Sequence, residues 1–483
     1  MPCTNCNNWQ SLTLSQLSYT STCGWCGLCR EMSAIETQIR FLLSTSSGSL
    51  VRYFPTLDTF QLFKSSHGPK DRTGAFRPLV LGAVCKTWRS VAWTTPQLWN
   101  QPFFDDTIFK NQGRDSLAFE WISRARTLPL ELTLRIVQPP SATTITSSPF
   151  SFSESRTLEF LQGLTSSASQ WKSLDLHMPL NLMDYIVRQV PSWGNIHILT
   201  LRPVKIDRPE SNLHQLTVQE LNINWSQVRE ATMENLSHEE CFKVLSAAKS
   251  ATKCHFHSVY ELRSSSNLVL PLTHPNLRYL SLNSFQNATE KLFSVVTLPN
   301  LLQFSFAQQG FQTRFNRHNN PLFAFFQRSR PFQLQKLELL GVILDTEDLK
   351  SLLETLPAIS HLHLVMPWGL RDHIIGTEFK DPFFRHLAAT MLDPGTFLPR
   401  LEVLELSYDG VTMHWYGITS IVTSLYGSSD SQDLEYWRRP LKTFRFNTYM
   451  SPDEPMHPAS RRRIYKLSRA GVQIIRNGDL VVV

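Results

Sequence analysis

The chain has 483 residues, of which 42% are hydrophobic, 11% aromatic and only 18% charged. It is too long for one ordinary compact domain, and its apolar content excludes wholesale disorder, collagen and coiled coil. The net charge of +7 is concentrated: residues 51–100 hold seven Lys/Arg against two acids and residues 441–483 hold eight against three, so the rest is slightly negative.

A nucleic-acid binder carries a basic stripe along its main body, and none is present, which argues against nucleic acid as a partner. No apolar run approaches the ~18 residues that cross a bilayer, so no membrane partner is expected. The N-terminus lacks a basic region followed by an apolar one, so a secretory signal is not expected. The chain has eight cysteines, and five of them fall in the first 29 residues. Sparse and clustered, they do not form a disulfide framework, and the expected compartment is reducing: cytoplasm, nucleus or both.

The leader, residues 1–48, contains Cys3-x-x-Cys6 and Cys23-x-x-Cys26-x-x-Cys29. Two C-x-x-C pairs separated by 16 residues match the ligand spacing of a small structural zinc module, with Cys3, Cys6, Cys23 and Cys26 as ligands. The competing reading is a thiol-bearing leader without metal. A short helix over 31–43, striped by Met32, Ile35, Ile39 and Leu42, reads as a packing element rather than a coiled coil.

Residues 49–112 form a second region. Within it Leu81, Val84, Cys85, Trp88, Val91 and Ala92 recur at steps of three or four, which predicts an amphipathic helix broken at Thr94-Thr95-Pro96. Trp88, Trp93 and Trp99 lie within twelve residues, so this helix needs a partner surface, in the chain or outside it.

Residues 113–483 form a repeat array, interrupted by a polar loop at 138–155. The spacing L-x-x-L-x-L begins at Trp171, Ile196, Leu277, Leu301, Leu334, Ile359, Leu401 and Leu441, with weaker copies at Val228 and Ala251. Several steps are 23–26 residues and the others 32–42. A period of about 20–29 with this spacing is the leucine-rich-repeat signature, and the longer steps imply insertions such as 368–382 and 410–438. The L-x-L portion predicts a short strand with alternate side chains turned inward, stacked with its neighbours into a parallel β-sheet. Residues 345–356 predict a return helix, with Leu349, Leu352, Leu353 and Leu356 on one face and acids in its first turn. Pro299, Pro357 and Pro399 each stop a return segment before a strand. An ordinary α/β domain with Leu-rich strands explains ten copies of one pattern less well.

The residues between the inward leucines should share one outward surface. They include Ser173 and Asp175; Tyr279 and Ser281; Lys336 and Glu338; His361 and His363; Val403 and Glu405; Thr443 and Arg445. Such mixed faces of solenoids bind proteins, and the alternative is a solvated sheet face. The pairs His255/His257 and His361/His363 each set two imidazoles on one strand face, as surface histidines or metal ligands. Arg461-Arg-Arg463 with Lys466 and Arg469 fits a nuclear-import signal or the solvated face of a last helix that packs through Ile464 and Leu467. No phosphate-binding loop, dinucleotide fingerprint, nucleophile elbow or H-E-x-x-H motif occurs, and no nucleophile stands beside a base, so no enzymatic activity is expected.

The run LGAVCKTWRSVAWTTPQLW resembles the second half of the F-box of F-box proteins abundant in mushroom-forming fungi. Leu81, Val84, Cys85, Trp88, Arg89, Ala92, Pro96, Leu98 and Trp99 match that pattern at fixed spacing. The stretch Leu117–Leu134 resembles the helix and first strand that join F-box to repeats, and a final basic helix with a short strand over 461–475 resembles the family's ending. The family's opening Leu-Pro-Pro-Glu is missing; Pro55, Leu57, Phe60 and Phe63 stand where its first helix would lie. The resemblance implies an α/β protein: a short helical F-box-like module followed by an irregular leucine-rich-repeat solenoid. It further implies docking on the adaptor subunit of a cullin–RING ubiquitin ligase, with the repeats holding a protein substrate.

Overall fold

A computed structural model describes most residues from Lys86 to Leu480, with breaks at 138–153, 205–220, 262–270, 286–288, 310–320, 367–385, 388–396, 409–440 and 449–457 and shorter gaps elsewhere. The leader cysteines, the 31–43 helix and the insertions at 368–382 and 410–438 lie outside the described residues. The chain divides into two units, Met1–Thr94 and Thr95–Val483. The boundary falls within the 49–112 region, at the proline-linked break after the aromatic helix.

In the first unit the described element is α1 (Lys86–Thr94), which ends where the sequence predicts. Ala92 is buried, while Arg89, Ser90 and Trp93 are exposed.

The second unit is built on one sheet. Its strands are β1 (Phe103–Asp105), β2 (Leu130–Arg135), β3 (Trp171–Pro179), β4 (Ile198–Val204), β5 (Glu230–Glu234), β6 (Lys253–Val259), β8 (Tyr279–Phe285), β10 (Gln303–Gln309), β11 (Lys336–Leu340), β12 (His361–Met366), β13 (Val403–Tyr408), β14 (Thr443–Thr448), β15 (Gln473–Arg476) and β16 (Asp479–Leu480). These 14 strands follow chain order across the sheet, and every pair is parallel except the final β15–β16 hairpin. A separate two-stranded pair joins β7 (Leu272–Thr273) to β9 (Val296–Thr297). The helices between strands are α2 (Arg114–Arg124), α3 (Glu154–Thr165), α4 (Leu180–Gln189), α5 (His238–Ala247), α6 (Glu290–Val295), α7 (Pro321–Ser329), α8 (Thr346–Glu354) and α9 (Pro458–Arg469). Mixed α/β elements around one long parallel sheet, each strand followed by a return segment, are a leucine-rich-repeat-like solenoid arrangement.

The register explains why the spacing repeats. The first leucine row runs Leu132, Leu174, Leu199, Ala231, Cys254, Leu280, Phe304, Leu337, Leu362, Leu404, Phe444 and Ile474, each the partner of the next. The second row includes Leu134 and Leu176 near one end and Leu406 and Phe446 near the other. All the residues named in these rows are buried, as are all ten opening positions of the pattern from Trp171 to Leu441, the two weaker copies included. A single strand cannot bury such a face; stacking adds apolar contact on both sides at each step. Leu182, Met183, Ile186 and Val187 of α4, Phe325 and Phe326 of α7, and Leu349, Leu352 and Leu353 of α8 close the same core.

The turns are equally periodic. The first N–H of β8, β10, β11, β12, β13 and β14 donates to the carbonyl of the residue just before the preceding strand of the sheet or its immediate neighbour, at 2.9–3.1 Å. The Pro-Asn-Leu turns at 275–277 and 299–301 add side-chain bonds: Asn276 Nδ2 donates to Lys249 O at 2.9 Å and Asn300 Nδ2 to Pro275 O at 2.8 Å. Irregularity sits where the chain lengthens. β6 slips register between Phe256 and Val259, and Ser258 adopts the left-handed region at φ 56° ahead of the 262–270 segment. Gly341, at φ 71°, passes so near the Gln308 carbonyl that a Cβ would lie 2.5 Å from its oxygen.

Candidate functional site: the outward face of the sheet

The alternate residues of each strand face away from the leucine core, and pairing sets them in three rows. One row contains Ser173, Ile198, Glu230, Lys253, Tyr279, Gln303, Lys336, His361, Val403 and Thr443. The next contains Asp175, Thr200, Thr232, His255, Ser281, Ser305, Glu338, His363, Glu405 and Arg445. Every outward residue expected from the sequence therefore lies on one face, in the expected register, and nearly all of this face is half-buried or exposed.

The third row, one step beyond the last leucine, holds Arg135, His177, Arg202, Glu234 and His257 and, in the distal half, Leu340, Val365, Ser407 and Asn447. The six-residue pattern stops short of it, because the strands run one to three residues further than L-x-L. Continuing the alternation past the second leucine would have found it.

Charged side chains on the face meet in two groups. Over β11–β14 they form one network with Glu405 at its centre. Lys336 Nζ lies 2.8 Å from Glu338 Oε1. His363 lies between two carboxylates, with Nδ1 4.0 Å from Glu338 Oε1 and Nε2 3.7 Å from Glu405 Oε1. His363 Nε2 also sits 3.2 Å from Ser407 Oγ. His361 Nε2 and Arg445 Nη1 reach Glu405 Oε2 at 4.0 and 3.8 Å. Asn447 Nδ2 donates to Glu405 Oε1 at 3.3 Å and to Ser407 Oγ at 3.1 Å. Burial opposes the Glu338 carboxylate, but hydrogen bonds from Lys336 and Ser305 outweigh it and hold its pKa below the usual range. Burial pushes His361 and His363 down, and the adjoining carboxylates only partly restore them.

Towards the other end Lys253 Nζ meets Glu230 Oε1 at 2.8 Å and Arg202 Nε meets Glu234 Oε1 at 3.5 Å. Between the two groups the His255 ring lies 4.5 Å from Tyr279 and 6.2 Å from His257, centroid to centroid. Burial, then the neighbouring His257, lowers the His255 pKa. Ser173 and Asp175 on β3 stand six strand spacings from Lys336 and Glu338 on β11, which is about 29 Å along the sheet at ~4.8 Å each. A small molecule cannot touch both groups.

Among the described residues no three His, Cys, Asp or Glu side chains are grouped to hold a metal, and no helix is long and apolar enough to cross a membrane. The thiols of Cys241 and Cys254 lie inside the core; burial raises the first well above the ordinary range and the second to about 12, so neither supplies a thiolate nucleophile.

Leu57, Leu81, Val84 and Cys85 lie outside the described residues, and Trp88 and Arg89 are on α1, Arg89 exposed. Pro96 and Leu98 form a 3-10 turn that opens the second unit, both half-buried. Trp99 corrects its expected role in adaptor binding. It is 2% exposed, packs edge-on against Trp121 at 5.1 Å and lies under the Arg124 guanidinium at 4.7 Å. A ring enclosed in this way fills the first layer of the core and offers nothing to a partner.

No protein-family model and no curated protein matches the chain. Among solved structures, the crystal structure of a TLR13–ssRNA13 complex is similar at 14% identity and a TM-score of 0.32 over 66% of this chain. The match spans 39% of that chain, so this protein covers well under half its length.

Proposed function

We propose that the protein is an interaction scaffold whose outward sheet face grips an extended protein partner, with no catalytic step of its own. The observation that carries this reading is the continuous outward face from β3 to β14, with ion pairs grouped at β4–β6 and β11–β14, too long for a small ligand and prepared in register by the core behind it. Pre-paired charges add specificity and orientation more than raw affinity.

The finer form of the proposal is a substrate receptor of a cullin–RING ubiquitin ligase, working in the cytoplasm or nucleus. It rests on the F-box resemblance over 81–99 and on a helix that ends at Thr94 as that pattern requires. Leu57, Leu81, Val84, Cys85, Trp88, Arg89, Pro96 and Leu98 would meet the adaptor, while the repeats hold a substrate near the charged ubiquitin enzyme and raise its effective concentration. A structural zinc at Cys3, Cys6, Cys23 and Cys26 would be a separate, accessory feature. The alternative form is a scaffold whose F-box no longer recruits a ligase.

Affinity capture of the full-length chain from a native extract tests these forms together. Adaptor and cullin subunits should co-purify with the wild type, and Trp88→Ala should lose them while keeping the repeat-bound partner. Lys336→Glu/Arg445→Glu should lose the repeat-bound partner and keep the adaptor. A folded wild-type chain that captures a partner without adaptor or cullin establishes the scaffold form. A partner set indifferent to Lys336→Glu/Arg445→Glu contradicts the assignment of the sheet face.

A further inference from the structure

The last helix is strongly basic. Its sequence, PASRRRIYKLSR, contains Arg461, Arg462, Arg463, Lys466 and Arg469 and no acid. It is fastened to the fold by Ile464, which is fully buried, and is followed by β15, the last parallel strand. Arg461 and Arg462 are exposed, and Tyr465, one turn on, is 49% exposed, among the few large hydrophobic side chains that face water.

We propose that α9 is a docking site for an acidic peptide segment of a partner protein, separate from the sheet face and independent of the reading given to that face. Four of its five bases are arginine, whose planar fork pairs with carboxylates two bonds at a time. The helix is about 18 Å long, the length of some five extended residues. The exposed Tyr465 ring, on the same helix, supplies an apolar body with a polar tip.

Two other anionic partners fit less well. An amphipathic helix that lies on a membrane needs a free apolar face, and the apolar anchor of α9 is spent on the protein core. A nucleic acid is held by cations spread along many phosphates, and the body outside residues 51–100 and 441–483 is slightly negative.

Fluorescence anisotropy with a fluorescein-labelled deca-glutamate peptide and the full-length chain tests the assignment. Binding should be saturable at low salt and lost at high salt. It should weaken by about tenfold or more in Arg461→Glu/Arg462→Glu, by a smaller factor in Arg461→Gln/Arg462→Gln, and stay unchanged in Lys336→Glu/Arg445→Glu. Circular dichroism of each variant verifies that the helix remains. The inference is overturned if the peptide does not bind, or if both Arg461/Arg462 variants bind it as the wild type does. Tighter binding of oligothymidylate or of phosphatidylserine vesicles than of the peptide overturns it equally, by making the occupant a phosphate-bearing one.

Discussion

Phe304→Ala should lower the stability of the repeat unit by about 3–5 kcal/mol, the range for deleting a buried aromatic ring. Phe304 is 1% exposed on β10, the partner of Leu280 on one side and Leu337 on the other. Its ring is flanked by Phe326 at 5.3 Å, Phe325 at 5.6 Å and Phe293 at 6.1 Å. All three come from return helices, so the ring joins the sheet to the layer that covers it. Its removal leaves a cavity that backbone on both sides holds open. Thr232→Ala, on the outward face, should change stability by no more than about 0.5 kcal/mol. Urea unfolding of the two variants beside the wild type measures the contrast. Equal effects would mean that β10 is not an interior strand.

Acid should destabilise the protein well before its carboxylates titrate. Burial, the largest influence at each, lowers the pKa of His177, His238, His255, His274, His361 and His363 below the ordinary 6.5. The unfolded chain therefore takes up these protons first. Above 6.5 both states are neutral at these sites and the full stability is present. As pH falls through 6.5 towards the folded-state values, the unfolded state gains protons that the native state lacks. Each proton held only by the unfolded chain tilts stability by about 1.4 kcal/mol per pH unit. The melting temperature should fall by about 5 °C or more between pH 7 and pH 5. His274→Gln should flatten that slope: its ring is 1% exposed, with Nε2 3.0 Å from Ala248 O, where a glutamine amide can still donate but cannot titrate. A melting temperature level down to about pH 4.5 would contradict the account.

The inward spacing was legible in the sequence because burial demands it. Leucine, phenylalanine or a substitute must recur wherever a strand joins the stack, and even Ala231 and Cys254, poor matches by side chain, hold their places in the row. The first two outward rows followed by alternation, so Lys336, Glu338, His361, His363, Glu405 and Arg445 could be grouped before any contact was known. Their network was not legible. Whether His363 meets Glu338, Glu405 or both depends on which strands are neighbours across repeat steps of 25 and 42 residues, and composition gives no measure of that. The edges were the least legible. β1 is three residues long and β16 two, too short to show a period, and Trp99 reads as a partner-facing aromatic until Trp121 and Arg124 are seen around it.

The central claim is that the repeating strands form one parallel sheet in chain order, with alternate residues on a shared open face. Engineered disulfides test it directly. Ser281 and Ser305 are register partners on adjacent strands, and neighbouring strands at ~4.8 Å lie within disulfide range. Ser281→Cys/Ser305→Cys should cross-link under mild oxidation, mapped by mass spectrometry, whereas Ser281→Cys/Ser407→Cys, four strand spacings apart, should not. Absence of the first bond from a folded protein, or formation of the second within one chain, would contradict the account.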